Sequence, residues 1–206
     1  MPRPLWLVLS LVGALILLLP LWLPGLGSWL ALEEPLAPAD VALVMEGTGS
    51  DALAAAEAWR QAGLVHDVVI VEAPIKTHAL VAYWTDFVRW GIAPPPPTPP
   101  EHLRIVRSPS TLSGEQARAA LPALEAFGAR SVLVPGGGGI GTRLVARDLG
   151  AVLGSRGISV RLVRDGPPLR DPAVWYTNAD DRRAVLDSWL QVLVPFLSVY
   201  EPLPGS

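Results

Sequence analysis

The first 32 residues carry a single charged side chain, Arg3, and residues 5–19 are almost entirely apolar. A helix rises ~1.5 Å per residue and the hydrocarbon layer is ~30 Å thick, so ~20 residues are needed to span it. The run reaches that length if the helix continues past Pro20 to Leu23 or beyond. Proline kinks a membrane helix without ending it. Trp6, Trp22 and Trp29 fall where indoles sit at the two interfaces. Arg3 and the amino terminus precede the run, while Glu33 and Glu34 follow it. The positive-inside rule therefore predicts a single pass of the cell (inner) membrane, with a cytoplasmic N-terminus and an extracytoplasmic remainder. A cleaved signal peptide is the rival reading. Ala37-Pro38-Ala39 has the small residues of a cleavage site. It lies well past the apolar run, however, and that run exceeds the ~7–15 residues of a signal core.

Beyond residue 32 the pattern changes. Short β-branched runs predict strands over residues 41–45, 68–71, 103–106, 131–134 and 159–163. The second is apolar on both faces, as in a covered parallel sheet. Helices are predicted between them. The first covers residues 51–62, with Ser50 as N-cap and Gly63 as stop. The next covers residues 78–90, with Leu80, Trp84, Phe87 and Val88 as a core stripe. A third starts at Ser113, whose spacing to Gln116 suggests a capping box. It turns Ala117, Ala120, Leu121, Leu124 and Phe127 inward. A fourth, over residues 142–153, buries Val145, Leu149 and Val152. The last begins near Asp180 and buries Leu186, Trp189, Leu190 and Leu193. Residues 33–40 (EEPLAPAD) read as a linker, and residues 93–100 (APPPPTPP) as a stiff polyproline II excursion on the surface. Alternation of strand and helix predicts an α/β fold: an open, mostly parallel, Rossmann-like sheet of about five strands with helices on both faces, behind one transmembrane helix. The expected layout is a cytoplasmic tip and anchor over 1–32, the linker, an α/β domain over 41–200 and a tail over 201–206.

Charge and composition narrow the chemistry. The chain has 16 Lys+Arg and 19 Asp+Glu; without Arg3 the part beyond the anchor carries 15 against 19, a net −4. That leaves no basic footprint for nucleic acid. With no cysteine there is no disulfide framework, thiolate metal site or cysteine nucleophile. His66, His78 and His102 lack ligand spacing to one another or to an acid, so no metal site is expected. No G-x-S-x-G elbow occurs and no histidine follows His102, which argues against a serine hydrolase of that type. No cofactor is expected.

In open α/β sheets ligands bind at the carboxyl ends of the strands, so the turns there matter most. After the first strand, Gly47, Gly49 and Ser50 suit either an anion at a helix N-terminus or a tight turn with a serine cap. After the fourth strand, Gly136, Gly138 and Gly141 satisfy G-x-G-x-x-G, with Gly137 and Gly139 between them. Asp165 stands where a ribose-binding acid would. One reading is a nucleotide-dependent Rossmann-type enzyme. The other is a flexible anion-binding or simply mobile loop, which the extracytoplasmic topology favours. Ser108-Pro109-Ser110-Thr111 with Glu115 brings hydroxyls and a carboxylate to a helix start, as a site or as caps. Thr142 and Arg143 follow the glycine loop. A cation there opposes the helix dipole, which suggests an anionic ligand beside the plainer reading of a solvated arginine.

The order of these pieces resembles the YdcF-like domain family, which includes the SanA and ElyC envelope proteins. The resemblance covers residues 39–197. It rests on VALVMEGTGSDALAAAEAWRQAG (41–63), ALVAYWTDFVRWGI (79–92), STLSGEQA (110–117), the strand and loop leading to Arg143, and Trp175 with the closing helix. The family's glycine pair after its second strand is replaced by Glu72-Ala73-Pro74. The histidine shortly before its arginine is missing, with Ile140-Gly141-Thr142 in its place. His78 stands where the second helix usually starts with an acid. The resemblance implies a divergent member with a role in envelope biogenesis, handling peptidoglycan precursors or their lipid carrier. The expected partners are the lipid bilayer and a lipid-linked precursor. No catalytic residue is assigned, since the obvious acid/base is absent. A non-catalytic envelope scaffold is the further alternative.

Overall fold

In the computed structural model, which describes residues 13, 18–46, 51–76, 81–164 and 171–197, five apolar runs become strands. They are β1 (Val41–Met45), β2 (Asp67–Glu72), β3 (Leu103–Arg107), β4 (Ser131–Pro135) and β5 (Ser159–Val163). They form one open sheet in the order β3-β2-β1-β4-β5, and every pairing is parallel. The helices are α1 (Leu19–Leu30), α2 (Asp51–Gln61), α3 (Trp84–Arg89), α4 (Ser113–Ala126), α5 (Thr142–Leu153) and α6 (Ala179–Leu197).

Side-chain alternation explains the layering. All five residues of β1 are buried, because the sheet is covered on both faces. Val41, Leu43 and Met45 join Val69 and Val71 in a core closed by Ala117, Ala120 and Leu124 of α4 and Leu149 and Leu153 of α5. Ala42 and Val44 point the other way, with Val68 and Ile70, onto Ala52, Ala56 and Trp59 of α2. Small alanines on α2 and α4 let these helices approach the sheet, while valines fill the pleat.

The described residues fall into two compact units. The larger holds residues 32–138 and 142–164 and contains the sheet; the smaller holds residues up to Ala31, Gly139–Gly141 and residues from Asp171 onward. Helix α6, expected within the α/β domain, thus groups with α1. In that smaller unit Trp175 Nε1 donates to the Leu23 carbonyl (2.6 Å) and Trp29 stacks on Trp189, ring centroids 5.0 Å apart. Gly27 allows this approach, since a Cβ there would overlap the Pro172 carbonyl and the Trp175 ring.

Several expectations change. The predicted helix over 78–90 is replaced. Ile75–Lys76 and Val81–Ala82 pair as a small antiparallel hairpin, and α3 keeps only Trp84–Arg89, with no residue fully buried. The cause is polar: the Asp86 carboxylate accepts from the Tyr83 N–H (2.9 Å), which starts the helix there and leaves Val81–Ala82 as strand. Leu80 and His78 lie outside the described residues. The stripe on α6 is also misassigned. Val185 and Ser188 are buried, whereas Leu186, Leu190 and Leu193 are exposed.

Residues 33–40 do not run as a loose linker. Glu34 N–H donates to the Leu162 carbonyl (2.8 Å), and the Glu34 carboxylate accepts from Leu162 N–H (3.0 Å). Asp40 accepts from the N–H groups of Arg130 (2.8 Å) and Ser131 (2.9 Å). The backbone N–H of Arg130, foremost, holds the Asp40 carboxyl below its usual range. The proline-rich excursion is pinned as well: Thr98 is buried, and its hydroxyl donates to Glu57 on α2 (2.8 Å).

Among the described residues no helix is long and apolar enough to cross a membrane. Helix α1 has 12 residues with Pro24 inside it. Most of the predicted span, residues 5–17 apart from Gly13, lies outside the described residues.

Candidate functional site

Strand order places β2 and β3 on one side of β1, and β4 and β5 on the other. The direction of winding reverses between β1 and β4, and in such sheets ligands bind beyond the carboxyl ends of the strands. The register carries the ladder past the strand ends. Glu46 N–H donates to the Val71 carbonyl (3.1 Å) and Ser108 N–H to the Glu72 carbonyl (2.7 Å). Glu46, Glu72 and Ser108 therefore stand in a row along this edge.

Glu72 is 1% exposed, so its carboxylate depends on internal donors. It accepts from Thr85 N–H (2.6 Å) and the Thr85 hydroxyl (2.8 Å), with Arg107 Nε at 3.4 Å. Arg107 also donates to the Thr85 hydroxyl (3.1 Å) and Asp86 (3.3 Å), and its guanidinium lies 4.4 Å from the Tyr83 ring centroid. The Tyr83 backbone hydrogen bond, then the neighbouring arginines, lowers the Asp86 pKa. Burial, reinforced by the nearby Glu72 charge, raises that of Glu46. Glu46 thus retains a proton more readily than a solvated glutamate.

Gln116 ties this edge together. It is buried (1% exposed), its amide oxygen accepts from Glu46 N–H (2.9 Å) and its amide N–H donates to the Thr111 carbonyl (2.9 Å). The expected capping box is therefore not formed. Helix α4 starts at Ser113 with Leu112 as N-cap, which puts Gln116 one position too far along. The Ser113 hydroxyl donates instead to Asp148 on α5 (2.7 Å). Ser108 Oγ donates to the Ser110 carbonyl (2.7 Å), and Ser110 Oγ accepts from Leu112 N–H (3.1 Å), fixing the turn before α4.

A hollow of about 290 Å³ opens here, lined by Pro74, Pro109, Ser110 and Thr111. Of the sequence-predicted residues, Ser110 and Thr111 line it. Glu115 lies in the first turn of α4 and pairs with Arg118. The N–H groups of Ser113, Gly114 and Glu115, which follow these residues at the start of α4, have no intrahelical acceptor.

The glycine loop is used differently. Gly136, Gly138 and Gly141 have φ of 101°, 86° and 88°, conformations that glycine adopts without strain. Gly137 N–H donates to the Val163 carbonyl (2.9 Å) and Gly138 N–H to the Leu32 carbonyl (2.7 Å). A Cβ on Gly137 would lie 2.8 Å from the Leu162 carbonyl oxygen. Thr142 Oγ accepts from Leu32 N–H (2.6 Å) and is buried. Arg164 pairs with Glu33 beside Gly138. Arg143 stands in the first turn of α5, Gly139 falls in the smaller unit, and neither lines the hollow. Gly47, Gly49, Ser50 and Asp165 lie outside the described residues. Among the described residues, no three His, Asp or Glu side chains converge as metal ligands would.

Sequence reasoning missed Gln116 as a bridge, Glu72 as a buried anchor and Glu57 as a clasp. A polar residue on the inward face of a helix or at the end of an all-apolar strand was the available signal.

The fold and this edge define an α/β protein with an open, all-parallel, Rossmann-like sheet. No family model, no curated protein and no solved structure matches the chain.

Proposed function

We propose that the chain is a divergent YdcF-like envelope protein. Residues 1–32 hold it in the cell membrane with the sheet outside, and the carboxyl edge of the sheet binds a phosphate-bearing ligand. The ligand is of the kind carried by peptidoglycan precursors or their polyprenyl carrier. The observation that carries this is the hollow lined by Pro74, Pro109, Ser110 and Thr111 just before the first turn of α4. Hydroxyls and helix N-terminal N–H groups there are the donors that phosphate oxygens need. At about 290 Å³ the hollow is at the lower end of the ~300–1,000 Å³ usual for small-molecule sites. That suits a head group and leaves a lipid tail outside. Prolines on two sides keep the walls stiff, so little ordering is needed on binding.

Thr111 and Ser110 serve as direct contacts. Arg143, at the start of α5, adds long-range attraction. Gln116 holds the turn that carries Thr111 against the end of β1. The test is binding of polyprenyl phosphate and of inorganic pyrophosphate to the full chain in detergent, with Thr111→Val and Arg143→Ala. A hydrogen bond to a charged group contributes ~1.5–3 kcal/mol, so Thr111→Val should weaken binding roughly tenfold or more. Unchanged affinity in both variants overturns the site assignment.

A further inference from the structure

The outward face of α6 is apolar where solvent should favour polar residues. Leu186, Leu190 and Leu193 recur at i, i+4 and i+7, one stripe of a helix, and are 59%, 57% and 46% exposed. The helix has three distinct faces. Val185 and Ser188 are buried on the second. Arg183, Asp187 and Gln191 are exposed on the third, with an Arg183–Asp187 pair along it. Trp189 lies between the buried face and the stripe and stacks on Trp29 of α1. Its indole N–H reaches the Leu26 carbonyl (3.4 Å). The stripe is thereby continuous with the partly exposed Trp29 and lies in the same compact unit as Trp22.

One occupant suits this surface. The chain ahead of Leu18 has Arg3 as its only charged side chain and is otherwise almost entirely apolar from Leu5 on, and it leads into α1. If that run and the first turn of α1 span a bilayer, the rest of α1 and the helix stacked on it meet the bilayer surface first. A helix with one apolar stripe, flanking indoles and an arginine-bearing polar face lies in the interface plane. We propose that α6 is an interfacial helix, with Leu186, Leu190 and Leu193 immersed at the boundary between head groups and acyl chains. This rests on the membrane anchoring proposed above.

The chain has no cysteine, so single cysteines can be placed and labelled uniquely. The full chain is reconstituted in phosphatidylethanolamine/phosphatidylglycerol vesicles with an environment-sensitive fluorophore at Leu186→Cys, Leu190→Cys or Leu193→Cys. Asp187→Cys and Gln191→Cys report the polar face, and Leu11→Cys, near the middle of the apolar run, reports the anchor through a deep spin-labelled lipid. Blue-shifted emission at the three leucine positions, quenched by shallow spin-labelled lipid, with unquenched signals at 187 and 191, is the expected result. Quenching at 11 but not at 186, 190 and 193 overturns the inference and leaves the anchor standing. Blue shift without lipid quenching there means that protein, a second copy or the N-terminal run, covers the stripe, and also overturns it. No quenching at position 11 removes the anchor and the inference together. Equal quenching at 187 and 191 overturns the orientation claimed for the helix.

Discussion

Replacing Glu57 with glutamine should cost the larger unit about 2–3 kcal/mol at neutral pH, a value that follows from one carboxylate and its donors. Glu57 is 6% exposed on α2 and accepts from Arg60 Nε (2.9 Å), Arg60 Nη2 (2.8 Å), Gln61 (2.9 Å) and Thr98 Oγ (2.8 Å). The Arg60 hydrogen bonds, then those of Thr98 and Gln61, outweigh burial and lower its pKa from 4.5 to about 2. At ~1.4 kcal/mol per pH unit, that drop corresponds to about 3 kcal/mol of linked stability. The folded pKa lies below the unfolded one. The contribution is therefore complete above about pH 4.5 and is lost as pH falls toward about 2. Arg60 is partly solvated and recovers water in the variant, which keeps the loss at the lower end. Thermal unfolding of the full chain in mild detergent, followed by circular dichroism, should show a midpoint lower by about 6–12 °C. Asp40 and Asp86 also have lowered pKa values, so the wild type's acid profile alone does not isolate Glu57. The difference between wild type and variant does, and it should shrink as pH falls from about 4.5 to about 2. A loss below ~0.5 kcal/mol at pH 7, as for an ordinary surface change, or a difference independent of pH, refutes the reasoning.

Gly137→Ala should destabilise by about 1–3 kcal/mol in the same melting assay, because its Cβ meets backbone of β5 rather than a movable side chain. Gln116→Leu should cost about 0.5–1.5 kcal/mol, because Glu46 N–H keeps the Val71 carbonyl while the Thr111 carbonyl loses its Gln116 donor, and it should also weaken binding at the Thr111 turn. Glu46→Gln should have the opposite sign at neutral pH. A raised carboxyl pKa means the folded state binds the proton more tightly, so the charge is unfavourable as pH rises through the folded value. The variant should melt higher than wild type at pH 7, and that gain should vanish below about pH 4.

The five strands were legible because each is a short, β-branched-rich run, and in β1, β2 and β4 burial on both faces removes any ambiguity of period. Helix α4 was legible for the same reason, since Ala117, Ala120 and Leu124 keep helical spacing. The helix over 78–90 failed because apolar spacing was counted without the polar contacts that decide where a helix can begin. Asp86 and Glu72 both act on the backbone around Tyr83–Thr85. The α6 stripe failed for another reason. Hydrophobic periodicity identifies a face but not its partner, and α6 has two apolar faces, of which the one holding Val185 is buried.

The glycine loop shows how a motif can be physically right and functionally ambiguous. Its glycines do what glycines in a dinucleotide fingerprint do, letting backbone approach backbone at distances a Cβ would forbid. Here the approaching groups belong to the chain itself: the Leu162 and Val163 carbonyls of β5 at Gly137, and the Leu32 carbonyl at Gly138. No spacing rule distinguishes a carbonyl from a pyrophosphate as the group that requires the glycine. The difference lies in Leu32, which read as the last residue of the anchor and bonds to Thr142 and Gly138, and in Glu34, which read as linker and bonds to Leu162. Two amides that a phosphate would need on the β4 side of the switch point are already donating. On the proposed reading, recognition at this edge therefore falls to the turn between β3 and α4, where Ser110 and Thr111 line an open hollow.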